Sequence, residues 1–185
     1  MAVSDIDSIV CETTIAAPPE TVFSFFTDPD LYVRWMGAQA QLDPRPGGTY
    51  AVDINAASRA RGVFVEVVPH SRILFTFGWE GDAQPLPPGA STVEVTLTAV
   101  PDGTHVRLHH RGLLQIEARH QHHAGWLLYL SRLRIAAAGG DAGPDPNASL
   151  QTEECSNDEP KPCRNRSNNP CRTAPTRSQR CAQGP

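Results

Sequence analysis

STVEVTLTAVPDGTHVRLHHRG, residues 91–112, consists of two alternating segments joined by a turn sequence. In each segment apolar residues occupy every second position, which is typical of a β-strand with one buried face. The turn Pro101-Asp102-Gly103 has the residue types of a tight reversal, so the two strands are expected to form a hairpin. The residues predicted to share its inward face are Val93, Val95, Leu97, Val106, Leu108 and His110.

Four more segments alternate in the same manner before this hairpin. They are DSIVCETTIAA (7–17), GGTYAVDIN (47–55), RARGVFVEVVP (59–69) and RILFTFGWE (72–80). The residues predicted to face inward in the last three are Tyr50, Val52, Ile54, Val63, Val65, Val67, Ile73, Phe75, Phe77 and Trp79. Consecutive alternating segments separated by turn residues predict an antiparallel meander.

Three segments have helical patterns. APPETVFSFFTD (17–28) begins with prolines, and DPDLYVRWMG (28–37) has Asp28 as a cap and Gly37 as a stop, so both predict short helices. QIEARHQHHAGWLLYLSRLRIAAAGG (115–140) predicts a long final helix that ends at Gly139. The residues expected on its packed side are Ile116, His120, His123, Leu127, Leu130 and Arg134, with Trp126, Leu133 and Ala137 beside them.

Charge and composition exclude several classes of protein. A formal net charge of -4 on 185 residues argues against a nucleic-acid module, which carries a basic patch. No apolar run reaches the roughly 18 residues that a membrane helix requires. The N-terminal sequence lacks the basic and apolar regions of a signal peptide. We therefore expect a cytoplasmic protein with reduced cysteines and with neither nucleic acid nor membrane as partner.

The composition changes sharply near residue 140. All aromatic residues lie at or before Tyr129, and residues 141–185 contain one large aliphatic residue, Leu150. Such a segment buries too little apolar surface to offset the entropy of ordering it. The sequence therefore predicts one folded domain over residues 1–140 and a disordered tail, rich in proline, cysteine and charge, over residues 141–185. The tail cysteines include no closely spaced pair of the kind that holds structural zinc.

The ordered set of segments resembles a known superfamily. Five segments stand in the order, and close to the spacing, of the SRPBCC or START-like helix-grip superfamily. They are APPETVFSFFTDPDLYVRWM, LDPRPGGTYAVDI, RGVFVEVVPHSRILFTFGWE, PGASTVEVTLT and HHAGWLLYLSRL. Within it, the chain resembles the bacterial homologues of the activator of the Hsp90 ATPase. The resemblance implies an α+β fold in which a curved antiparallel sheet of seven strands wraps around a long C-terminal helix, with two short helices after the first strand. It also implies a hydrophobic cavity between sheet and helix, and close helix packing at Gly125.

The cavity residues are predicted from the strand faces and the final helix. Trp35 and the turn that ends at Gly47 and Gly48 are expected at its rim, although Trp35 would serve equally well as an ordinary core residue. His110 is the best inward-facing titratable group. No metal site is predicted, because the histidines of the final helix lack enough partner ligands, and no cofactor is predicted. The complete set of predicted cavity residues is Trp35, Val52, Val65, Phe75, Phe77, Val95, Leu97, Leu108, His110, Trp126 and Leu130.

Three functions fit this sequence. The first is non-catalytic binding of a small hydrophobic molecule in the cavity. The second is a protein-interaction domain of the co-chaperone type, with a chaperone or another protein as partner. The third is a small-molecule cyclase or hydrolase that uses His110 as acid or base. A homodimer is compatible with each of them. Superfamily membership alone does not distinguish these three functions, because function depends on the site and not on the fold.

Overall fold

Ten helices and strands make up the described part of the chain. The structure is a computed structural model that describes residues 7–81 and 85–148. In chain order the elements are β1 (Ser8–Ile15), α1 (Pro19–Thr27), α2 (Pro29–Tyr32), β2 (Gln39–Leu42), β3 (Thr49–Asp53), β4 (Arg59–Val68), β5 (Arg72–Phe77), β6 (Ser91–Val100), β7 (Gly103–Arg111) and α3 (Ile116–Ala137). The predicted α+β class is confirmed.

The strands form one curved antiparallel sheet in the order β1-β7-β6-β5-β4-β3-β2. The predicted hairpin is present, with Val93 opposite His110 and Val95 opposite Leu108. Strand β2 is the one strand that alternation did not indicate, because its sequence, QAQL, has only partly buried or exposed side chains. It is the seventh strand that the superfamily resemblance implied.

Both short helices begin where their sequences predicted, but α2 ends at Tyr32, five residues before the predicted stop at Gly37. The Asp28 side chain accepts the backbone N–H groups of Asp30 and Leu31 at 2.9 and 3.3 Å, which caps α2. Gly37 follows with φ of 81°, a conformation that favours glycine. In the next turn Gly48 is required for space, since a Cβ there would lie 2.0 Å from the carbonyl oxygen of Asp43.

Large aromatic side chains fill most of the space between the sheet and the helices. Tyr50 stacks on Phe75 with ring centroids 4.2 Å apart, and Tyr32 lies 4.8 Å from Trp35. Trp35 is completely buried, and its indole N–H donates to the carbonyl oxygen of Phe25 at 2.9 Å. The prediction that Trp35 lies at a cavity rim is therefore wrong, and its alternative role as a core residue is correct.

The predicted face of β4 is wrong over its first half. Val63 and Val65 are 43% and 45% exposed, whereas Phe64 between them is 1% exposed. The register shifts between Phe64 and Glu66, so that Val65 is the extra residue of a β-bulge. Alternation counted straight through a bulge assigns one side of it to the wrong face. Val65 consequently points away from the interior and cannot line a cavity there.

The packed side of α3 is also shifted from the predicted one. Trp126, Leu130, Leu133 and Ala137 are buried as expected, and Tyr129 and Ala136 are buried beside them. The residues predicted there that are exposed instead are Ile116, His120, His123, Leu127 and Arg134. The helix contacts β1 along the sheet edge and packs against α1. Among the residues that the structure describes, no helix combines the length and apolar character needed to span a bilayer.

Residues 141–148, which we call the strap, pack on the domain. The buried Arg132 of α3 donates to the carbonyl oxygens of Ala142, Gly143 and Pro144 at 3.0, 2.8 and 3.0 Å. The predicted domain boundary at residue 140 is therefore too early, because carbonyl and side-chain hydrogen bonds hold the strap without apolar burial. The rest of the predicted tail, with its four cysteines, lies outside the described residues.

Candidate functional site

A cavity of about 260 Å³ lies beside α3, at the end of β5. Four of its nine described lining residues are phenylalanine, tryptophan or tyrosine, and none of the nine carries a formal charge when the histidine is neutral. Its lining residues are Met36, Ser58, Phe77, Trp79, Gln121, His122, Gly125, Trp126 and Tyr129. The volume is slightly below the range of about 300–1,000 Å³ that is usual for ligand pockets, so it suits a small molecule.

One face of α3 supplies nearly half of the lining. Residues 122, 125, 126 and 129 have the i, i+3, i+4, i+7 spacing of a single helical side. Strand β5 and its continuation place Phe77 and Trp79 opposite them, with ring centroids 5.2 Å apart. The cavity thus lies between this helical side and the end of β5.

His110 lies behind the cavity wall in a closed hydrogen-bond chain. The Trp126 indole N–H donates to Nδ1 of His110 at 3.1 Å. The hydroxyl of Ser91 donates to the carbonyl oxygen of Phe77 at 2.9 Å and lies 2.8 Å from Nε2 of His110. Because that hydroxyl proton is used, Nε2–H of His110 must donate to Ser91. Both ring nitrogens are committed, and neither is available as an acid or base. His110 is inward-facing as predicted, but its geometry is that of a structural residue.

The pKa of His110 is lowered from its ordinary value of 6.5 to about 3, first by burial and then by the nearby His122 and His109. In the unfolded chain His110 therefore binds a proton near pH 6.5, whereas in the folded chain it does so only near pH 3. We expect the free energy of unfolding to fall by about 1.4 kcal/mol per pH unit on this account as the pH decreases below 6.5.

Urea unfolding at pH 7.5 and pH 5 would measure this dependence. His110→Gln is the matched variant, because an amide can accept from Trp126 and donate to Ser91 without titrating. The variant should lose less stability than the wild type between the two pH values. Equal losses would show that His110 contributes nothing to acid sensitivity.

His122 contacts the cavity directly. Its Nδ1–H donates to the carbonyl oxygen of Ala118 at 2.7 Å, so Nε2 is the acceptor for the Trp79 indole N–H at 3.2 Å. Burial lowers the pKa of His122, and its hydrogen bond to Ala118 opposes that shift. The imidazole is thus expected to be neutral near pH 7, which preserves the uncharged character of the cavity.

Gly125 is not the close-packing point that the resemblance implied. A Cβ built at this position would meet no atom within 4 Å. The residue lines the cavity instead, and its missing side chain leaves part of the opening free. A helix-interior glycine costs roughly 1 kcal/mol relative to alanine, so this open space is maintained at some expense of stability.

Two of the predicted cavity residues, Phe77 and Trp126, line the cavity that the structure contains. The others, apart from the outward Val65, are buried in the core, where they contact the aromatic cluster or the sheet interior. These are Trp35, Val52, Phe75, Val95, Leu97, Leu108, His110 and Leu130. The aromatic rings fill the space that the prediction had assigned to a ligand.

Sequence reasoning missed seven lining residues, although part of the pattern was present. Trp79 continues the alternation of β5, and Tyr129 follows Trp126 by one helical turn. Gln121 precedes Gly125 by one helical turn, whereas Met36 and Ser58 carry no comparable pattern, because the tertiary fold brings them to the cavity. Within the described ranges, no three histidine, cysteine or acidic side chains are placed to hold a metal ion.

A family model supports the predicted family. The model described as "Activator of Hsp90 ATPase homolog 1-like protein", AHSA1, matches residues 16–138, which is well over half of the chain. The chain belongs to this family. The match includes every element from α1 to α3 and ends before the strap. No curated protein is detectably similar to the chain.

Solved structures of other proteins share the fold. An AHSA1-like protein from Rhizobium etli is 44% identical, with a TM-score of 0.62 over 79% of this chain and 91% of that one. CalU16 from Micromonospora echinospora is 28% identical, with a TM-score of 0.61 over 80% and 74% of the two chains. A protein from Mesorhizobium loti, at 24% identity and a TM-score of 0.64 over 70% and 95%, shows the fold alone.

Proposed function

We propose that this AHSA1-like protein binds a small, uncharged hydrophobic molecule without catalysis. The cavity that Phe77, Trp79, Trp126 and Tyr129 enclose is the observation that supports this function. Aromatic walls offer a large apolar area and favour flat rings at edge or stacking distance. A charged ligand would lose its hydration there without gaining a charged partner, which is costly.

The hydrogen bonds of His110 support a binding role over an enzymatic one. Both of its ring nitrogens have protein partners, and His122 also uses both of its nitrogens. An acid–base catalyst must present a nitrogen to the substrate. In the resting protein, neither imidazole meets that requirement.

Uptake of the neutral dye N-phenyl-1-naphthylamine tests the proposal. Gly125→Leu should fill the opening and weaken dye binding by about tenfold, equivalent to about 1.4 kcal/mol. The matched control is Ala124→Leu, which adds the same side chain one residue earlier on an exposed part of α3. Fluorescence titration measures all three affinities. A wild type that takes up no dye, or equal affinities for the two variants, would contradict the proposal.

A second function, protein interaction of the co-chaperone type, has one observation in its favour. Leu114 and Ile116 are 78% and 52% exposed at the start of α3, beside a groove lined in part by Pro85 and Pro87. Exposed apolar side chains that lie together are typical of contact surfaces. If Leu114→Ser and Ile116→Ser leave dye binding unchanged while weakening a protein complex, the two functions occupy separate sites.

The proposal also includes a cytoplasmic location and allows a homodimer. The free, buried thiol of Cys11 fits a reducing compartment, where cysteines remain unpaired. Burial raises the pKa of this thiol to about 11, so it is a packed side chain and not a reactive one.

A further inference from the structure

The strap holds the cavity wall at Met36. The Asp145 carboxylate is 5% exposed and accepts the backbone N–H of Gly37, the residue after Met36, at 2.8 Å. Its other oxygen accepts the N–H of Asn147 at 2.9 Å, which fixes the local turn of the strap. A buried carboxylate with both oxygens paired sets the position of the chain that it contacts.

The strap also holds the ring of Tyr129. The amide nitrogen of Asn147 donates to the Tyr129 hydroxyl at 3.0 Å. The ring of the same tyrosine lines the cavity. One side chain therefore contacts the strap through its hydroxyl and the cavity through its ring.

A third connection reaches the wall at Ser58. The side-chain amide of Asn55 donates to the carbonyl oxygen of Asn147 at 2.8 Å. The carbonyl oxygen of the same side chain accepts the N–H groups of Ala57 and Ser58 at 2.9 and 2.8 Å. Asn55 thus joins the strap to the loop between β3 and β4 that supplies Ser58.

These connections depend on polar contacts and not on apolar packing. The strap is held at its base by Arg132, which also donates to the carbonyl oxygen of Trp35 at 2.9 Å. Segments held by few apolar contacts open locally at a lower free-energy cost than the folded core. The strap can therefore detach while the core of the domain stays folded.

We propose that the strap positions three sides of the cavity and that its detachment widens the opening through which a ligand enters and leaves. Asp145 and Asn147 are positioning residues of this site. The family match ends at residue 138, so the strap follows the matched domain in the sequence. The inference rests on the proposed binding function.

Stopped-flow kinetics with N-phenyl-1-naphthylamine and the full chain test this inference. Asn147→Ala and Tyr129→Phe each remove one partner of the same hydrogen bond. Each variant should increase the dye dissociation rate constant about tenfold and the association rate constant about threefold. The Tyr129 hydroxyl also interacts with Asp145, so Tyr129→Phe removes both contacts, and the double variant should show no larger change than Tyr129→Phe alone. Pro146→Ala, at an exposed strap position, is the control and should leave both rates unchanged.

The association rate separates this role from simple weakening of the wall, which would increase dissociation alone. Wild-type binding with unchanged rates in the variants would overturn the strap inference and leave the binding function intact. Faster dissociation with unchanged or slower association would overturn the entry route. A wild type that takes up no dye would overturn the proposed function and the inference with it. Circular dichroism confirms that each variant is folded at the temperature used.

Discussion

Trp126→Ala is expected to lower the free energy of unfolding by about 3–5 kcal/mol, the usual cost of removing a large buried aromatic side chain. Trp126 is 3% exposed and lies 6.1 Å from Phe77, centroid to centroid. The substitution also leaves Nδ1 of His110 without its donor in a buried place, which adds to the cost of the lost packing.

Urea unfolding at pH 7.5 measures this effect. Trp126→Phe separates its two causes, because it keeps most of the ring and removes the N–H, so it should cost about 1–3 kcal/mol. Trp79→Ala is the comparison at a partly exposed position and should cost less than Trp126→Ala. A Trp126→Ala variant within about 1 kcal/mol of wild type would mean that the helix does not pack on His110 as described.

Arg132→Met is expected to destabilise the domain by a similar amount, about 3–5 kcal/mol. The arginine is 7% exposed, and its guanidinium donates to four backbone carbonyl oxygens, one in Trp35 and three in the strap. Methionine retains much of the apolar volume but leaves these acceptors unpaired unless water reaches them. Detachment of the strap should accompany the loss of stability.

Chemical denaturation and amide hydrogen exchange of Gly37 together test this prediction. The Gly37 N–H donates to Asp145 of the strap, so its exchange should become faster in Arg132→Met. Arg134→Met, at an exposed position of the same helix, is the matched control and should change stability by less than about 0.5 kcal/mol. Unchanged exchange at Gly37 would show that the arginine does not hold the strap in place.

The fold was largely predictable from sequence because its strands alternate and its turns carry characteristic residues. The hairpin of β6 and β7 and the capped helix α2 follow from local chemistry alone. The errors occur where local pattern and tertiary structure diverge. The bulge at Val65 reverses the alternation within one strand, and the polar β2 has no buried face to reveal it.

The candidate site was much less predictable. Strand faces identify inward residues, but they do not show which inward residues leave empty space. Trp35, Tyr32 and Tyr50 fill the centre of the domain, so the cavity lies to one side, against His122 and Gly125. The strap escaped prediction for a different reason. It is held by hydrogen bonds from Arg132 and Asn55. A prediction based on the number of apolar residues in a segment does not detect such bonds.

The pairing of β1 with β7 has a consequence for synthesis of the chain. Ser8 pairs with Arg111 and Ile15 with Thr104. The first strand therefore cannot pair until its partner strand has been translated, about a hundred residues later. At about 5–20 residues per second, that delay on the ribosome amounts to roughly 5–20 seconds. During this interval the backbone edge of β1 that pairs with β7 has no partner, and the side that carries Cys11 and Ile15 stays uncovered until α3 has also been made. The nascent chain is therefore most prone to mispairing at its first strand until β7 is complete.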